Sequence, residues 1–157
     1  MRILHENITN KVLKSLKEGA NDKWFQTEGL KIAQNIAGDS NQNCKTVSVQ
    51  VVEAALNDGV DCTVVAPYVV NGEDRNNNHF CIKDGNELVD YTASQFLGDN
   101  KTVKYATATD NGFDVYVMDK STMQGAVDDR IKNAQTAEEI LKMANNGELD
   151  NYIVYML

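Results

Sequence analysis

HFCIKDGNELVDYTASQF, residues 79–96, decides the reading of this chain. Two apolar runs flank Gly85-Asn86, a turn dipeptide, so HFCIKD and ELVDYT predict an antiparallel hairpin. His79 opens the first strand and Asp90 closes the second. A hairpin sets the start of one strand beside the end of the other, so an imidazole and a carboxylate are expected together at one end of a sheet. Side chains alternate along a strand, which places Cys81 on the same face as His79.

Upstream of the hairpin, Cys44 follows the polar loop GDSNQN and leads into KTVSVQVVEAALN. Thr46 to Val51 alternates like a strand, while Val47, Val51, Ala54 and Ala55 also fit helical spacing. EAAL at 53–56 is strong helix-forming text that stops at Asn57-Asp58-Gly59, which decides for a helix. Its valines lie on several faces, so the expectation is a central helix enclosed on most sides.

Cys44 then stands at the first turn of that helix. A cysteine attacks a carbonyl as thiolate, and its free pKa of about 8.5 leaves little thiolate near neutrality. Unpaired N–H groups and the positive end of the helix dipole favour the anion, and an imidazolium at His79 would complete an ion pair. Cys44, His79 and Asp90 are thus the candidate nucleophile, base and orienting carboxylate. Oxyanion donors are expected from the Cys44 backbone N–H and a side-chain amide, with Gln42 favoured among Gln42, Asn43, Asn41 and Gln34. For any one of these amides, a solvated turn residue is the competing reading.

Helix-leading Cys44, then ALNDGVDCTVVAPYVV, then His79 opening a strand and Val89-Asp90-Tyr91-Thr92 closing the next, resembles the papain-like and transglutaminase-like thiol fold. The resemblance covers about residues 40–97. Its most specific part, HFCIKDGNELVDYTASQF, is similar to the His-strand and Asp-x-Thr-Ala-x-Gln-Phe stretch of small bacterial papain-fold toxins, glutamine deamidases and transglutaminase-like proteins. It implies an α+β fold, with a Cys-bearing central helix packed on an antiparallel sheet that carries His and Asp. It also implies that Cys44, His79 and Asp90 form a triad that cleaves, deamidates or transfers amide groups, with no metal and no organic cofactor. Cys44 is followed by Lys45-Thr46-Val47 where the family often has an aromatic residue, and Phe80 and Cys81 follow His79 where larger aromatics are common.

Around this centre, helices are expected over Glu6 to Lys17 and Thr27 to Ala37, with Trp24 and Phe25 as a packing anchor between them. CTVVAPYVV (62–70) reads as one strand, with Pro67 marking an edge or a bulge. NGEDRNNN reads as a turn, FDVYVMD (113–119) and the terminal YIVYM as strands. Residues 121–145 hold a helix or two, with Thr136 and Glu139 spaced as a capping box. Gln95-Phe96 is expected to fold back onto the core.

Composition narrows the function. The 157 residues are 42% hydrophobic and 24% charged, typical of one soluble domain spanning 1–157. A net charge of −8 without a basic cluster would repel a phosphate backbone, so nucleic acid is not an expected partner. No apolar run is long enough for a bilayer, and the polar N-terminus is not a secretory signal. A cytoplasmic location, or export without a cleaved signal peptide, is expected. Cys44, Cys62 and Cys81 are an odd set without a CxxC pair, against a disulfide framework or a zinc cage.

The expected activity is thioester chemistry at a carboxamide of a protein or peptide substrate, with glutamine deamidation or transglutaminase-like transfer ranked above peptide cleavage. A cysteine protease and a non-catalytic acidic protein that docks a basic partner on the same fold are the alternatives. An arylamine-type acyl transfer ranks last.

Overall fold

A computed structural model describes residues 21–37, 43–96, 107–110 and 114–157. The helix expected over Glu6 to Lys17 lies outside them, as do Phe113 and two of the oxyanion candidates, Asn41 and Gln42.

The protein is mixed α+β, with helices packed against an antiparallel sheet. Helical structure is already present at Asn21, earlier than Thr27, and passes through a π-turn, Phe25–Gly29, into α1, Leu30–Ala37. Trp24 and Phe25 therefore lie within a helix rather than between two. The π-turn has a visible cause. The Tyr91 hydroxyl donates to the Phe25 carbonyl oxygen over 2.7 Å, capturing an acceptor that a regular helix would give to the Gly29 N–H. A Cβ at Gly29 would lie 2.3 Å from that hydroxyl and 3.0 Å from Trp24 Cζ3. Gly29→Ala is accordingly expected to cost about 1–3 kcal/mol, read as a lower urea midpoint at unchanged m-value.

The second helix, α2, runs Cys44–Asn57. Cys44, Val47, Ser48, Val51, Val52 and Ala55 are buried, the spacing of one helical face, whereas Lys45, Val49, Glu53 and Leu56 are exposed. The expected enclosure on most sides is thus corrected: α2 lies on the sheet with one stripe. That stripe packs with Phe25, Ala33, Ile82 and Val89, and each large apolar side chain so buried contributes roughly 1.5–3 kcal/mol.

The strands are β1 Thr63–Val65, β2 Tyr68–Asn71, β3 Asp74–Asn76, β4 Cys81–Asp84, β5 Glu87–Val89, β6 Thr107–Asp110, β7 Val115–Asp119, β8 Gln124–Gly125 and β9 Tyr152–Met156. They order as β1-β4-β5-β6-β7-β9-β2-β3, with β8 on β7, every pair antiparallel. CTVVAPYVV is therefore two strands, not one. Pro67 separates β1, which pairs with β4, from β2, which pairs with β3 and β9 on the far side of the sheet. Part of NGEDRNNN is strand β3 rather than turn.

Alternation explains the layers. One face of β4 and β5 supplies Cys81 and Leu88, and one face of β2, β7 and β9 supplies Val69, Tyr116, Met118, Ile153 and Tyr155; these meet in a single cluster, so the sheet curls over that face. Its other face is covered by α1 and α2 on one half. On the other half it is covered by α3, Asp129–Lys132, and α4, Ala137–Asn145. Thr136 caps α4 by accepting from the Glu139 N–H, as its spacing predicts.

Candidate active site

The β4–β5 hairpin sets the site. Ile82 opposes Val89 across a turn whose Gly85 takes φ +61°, a left-handed conformation suited to glycine. Continuing that alternation beyond the paired residues, His79 extends the row of Cys81, and Asp90 and Thr92 extend the row of Leu88. All point to the concave face. There the ring of His79 is fully buried and Asp90 is 2% exposed.

The hairpin joins the two side chains: His79 Nε2 lies 2.8 Å from Asp90 Oδ2. Tyr155, reaching across from β9, donates its hydroxyl to the same oxygen over 2.8 Å. Asp90 Oδ1 accepts from the Thr92 backbone N–H at 3.0 Å and from the Thr92 hydroxyl at 3.3 Å. Phe96 stands edge-on to the imidazole with centroids 4.9 Å apart, shielding the pair from water.

The first turn of α2 brings in the thiol. Cys44 Sγ lies 3.9 Å from the carbonyl oxygen of Asn78, the residue before His79. Lys45 sits 5.6 Å from the centre of the Phe80 ring, a cation–π contact that ties the helix start to the histidine strand. Of the remaining oxyanion candidates, Asn43 is half-buried just before the helix, its carbonyl accepting the Val47 N–H at 2.8 Å, and Gln34 is exposed on α1.

Electrostatics separates the three cysteines. Burial pushes the Cys44 thiol up, but the hydrogen bond to His79, the backbone of Phe80 and the imidazolium charge outweigh it, leaving the pKa below its ordinary value. Burial, with Asp84 and Asp61, pushes Cys62 up to about 11, and burial beside Asp90 pushes Cys81 well above the ordinary value. Burial disfavours a charged His79, yet the Asp90 charge and hydrogen bond, helped by Cys44, raise it to about 9. Burial likewise disfavours ionised Asp90, and His79, Tyr155 and the Thr92 N–H hold it below the usual carboxylate range. Iodoacetamide near neutral pH is therefore expected to modify Cys44 at least about tenfold faster than Cys62 or Cys81, by peptide mapping. Equal labelling of the three would contradict this ordering.

Two side chains of the site carry no signal that singles them out in the sequence. Tyr155 is one of several apolar residues in YIVYM, and its reach to Asp90 depends on a strand order that spans most of the chain. Gln95 reads as a residue folding onto the core. Its Nε2 lies 3.1 Å from His79 Nδ1 and 3.3 Å from Thr92 Oγ1. Beyond Gln95 and Phe96 opens a cleft of about 170 Å³, walled on its far side by Val69, Asn71, Asp74 and Asn76.

Among the described residues, no group of three His, Cys, Asp or Glu side chains is placed to hold a metal ion, and no helix is long and apolar enough to cross a membrane. No family model, curated protein or solved structure matches the chain.

Proposed function

We propose that the protein is a cysteine-dependent acyltransferase or hydrolase of the papain-like or transglutaminase-like type. It would act on a carboxamide, with protein glutamine as the leading substrate. The observation that carries this is the buried His79–Asp90 pair standing beside a thiol at the first residue of a helix, with the thiol alone of the three cysteines displaced toward the thiolate.

Because Nε2 of His79 is turned to Asp90, Nδ1 is the nitrogen that exchanges protons with the reaction. Cys44 Sγ gives its proton to Nδ1 and bonds to the amide carbon. Collapse of the tetrahedral adduct breaks the C–N bond, and Nδ1–H protonates the departing nitrogen. Water, deprotonated by Nδ1, then opens the thioester to an acid and restores the thiol; a lysine amine in its place leaves a cross-link. The Cys44 N–H, at the helix terminus, suits the oxyanion.

Intact-mass analysis of glutamine-containing proteins incubated with the enzyme tests the reading. A gain of about one dalton per site, absent with Cys44→Ala, is expected for amide-to-acid conversion. New peptide termini without that gain would move the assignment to a cysteine protease. Equal gains with wild type and Cys44→Ala would exclude the thioester route.

A further inference from the structure

The direction of each hydrogen bond around His79 follows from a group that can only accept. Ionised Asp90 takes the Thr92 hydroxyl proton at Oδ1 over 3.3 Å, so the Thr92 oxygen is left as an acceptor toward Gln95. Gln95 Nε2 lies 3.3 Å from that oxygen and 3.1 Å from His79 Nδ1, and its two N–H bonds fit these two acceptors. In this orientation Gln95 offers an N–H to the Nδ1 lone pair and disfavours a proton there, while the ring proton on Nε2 faces Asp90 at 2.8 Å.

This network conflicts with the thiolate route, in which Nδ1 receives the proton of Cys44. We propose that Gln95 is a positioning residue that opposes protonation of His79 Nδ1, against the pull of Asp90, and so raises the pH at which Cys44 ionises until the Gln95 carboxamide turns over. The proposal rests on reading Cys44 and His79 as nucleophile and base.

When the proton moves from Sγ to Nδ1, two N–H groups face each other unless Gln95 presents Oε1 instead. Turned that way, its oxygen also meets Thr92 Oγ1, whose hydrogen is committed to Asp90. One hydrogen bond is lost, either Gln95 to Thr92 or Thr92 to Asp90. A single net hydrogen bond is worth roughly fivefold in an equilibrium, so Gln95 biases the pair toward its neutral form without locking it there. Gln95 is half-buried at the wall of the cleft beside β2 and β3, which leaves its carboxamide space to rotate.

The groups that set the charge on His79 come from several elements. Cys44 faces it from α2, Asp90 from the end of β5, Tyr155 from β9, and Cys81 lies on the same face of its own strand. Asp74 and Arg75 stand across the cleft on β3, the guanidinium bonded to the Gly72 and Asp74 carbonyls and to Asn145. Gln95 and Phe96, uncharged, complete the surround.

The test is the pH profile of Cys44 alkylation by iodoacetamide, with the site assigned by mass spectrometry, for wild type, Gln95→Leu, Gln95→Glu and His79→Gln. Leucine removes the donor that opposes Nδ1–H. Its profile should move to lower pH, with a rate near pH 6 raised roughly fivefold. Glutamate accepts from Nδ1–H and should move the profile further in the same direction. Should leucine lower the melting temperature sharply, Gln95→Met, matched in length, carries the same expectation. A Gln95→Leu or Gln95→Met profile that coincides with wild type, or moves to higher pH, overturns the proposal. His79→Gln separates this failure from that of the underlying reading. If it leaves the profile unmoved, the thiol is not coupled to the imidazole and the nucleophile–base assignment falls. If it shifts the profile while the Gln95 variants do not, only the role of Gln95 falls.

Discussion

Cys44→Ala is expected to lower turnover of a carboxamide substrate by a factor on the order of 10⁴ to 10⁶ while changing stability by about 1 kcal/mol or less. The first number follows from the chemistry. Without Sγ no thioester forms, and His79 with the helix terminus can only polarise water against an amide. The second follows from place. Alanine keeps the Cβ at the start of α2, has the better helix propensity, and removes a thiol whose weak polar contacts are a 3.9 Å approach to the Asn78 carbonyl and those to His79 and the Phe80 backbone. Loss of turnover with an unchanged urea melt is the signature of a reacting group. A binding protein on the same scaffold would keep full affinity for its partner after the substitution, and that result would overturn the proposed enzymatic reading.

The part of the site written locally was legible in the sequence. Alternation on both sides of Gly85-Asn86 predicts the hairpin, and with it the meeting of His79 and Asp90, because a two-residue turn fixes register without help from the rest of the chain. The helix after Cys44 is likewise local, decided by EAAL and by the stop at Asn57-Asp58-Gly59.

What escaped depends on distant pairing. CTVVAPYVV carries uniform β-propensity, and nothing in it says that its halves join strands at opposite sides of the sheet. Pro67, which lacks an N–H for any ladder, was the available hint. Strand β3, Asp74–Asn76, is polar and short, as edge strands often are, and owes its extended form to pairing with β2. The valines of α2 suggest enclosure because composition cannot tell a broad buried stripe from a buried cylinder. Tyr155 becomes a neighbour of Asp90 once β9 is threaded between β7 and β2, which no short-range pattern encodes.

Asp90→Asn should be the most damaging near-isosteric change in the protein. Four donors converge on this carboxylate: His79 Nε2 and the Tyr155 hydroxyl at Oδ2, the Thr92 N–H and hydroxyl at Oδ1. A carboxylate only accepts, so all four are satisfied; asparagine offers one oxygen, and its NH₂ must face two of the donors in a site 2% exposed. Breaking a buried pair in this way costs about 3 kcal/mol, and on the proposed mechanism misorienting His79 would lower kcat by a factor on the order of 10⁴. The pH dependence gives the stability claim a sign. His79 rises from 6.5 to about 9 in the folded protein, so the stability it contributes is fully present below 6.5 and is lost as pH climbs toward 9. In Asp90→Asn with Cys44 also replaced by alanine, the causes of that rise are gone and burial pulls the imidazole down, so acidification through 6.5 destabilises the variant instead. The gap between wild-type and variant urea midpoints should therefore be widest near pH 6 and narrow steadily toward pH 9, with both arms measured in a Cys44→Ala background so that thiol ionisation does not contribute. A gap that stays constant over this range would mean that Asp90 does not govern the charge on His79.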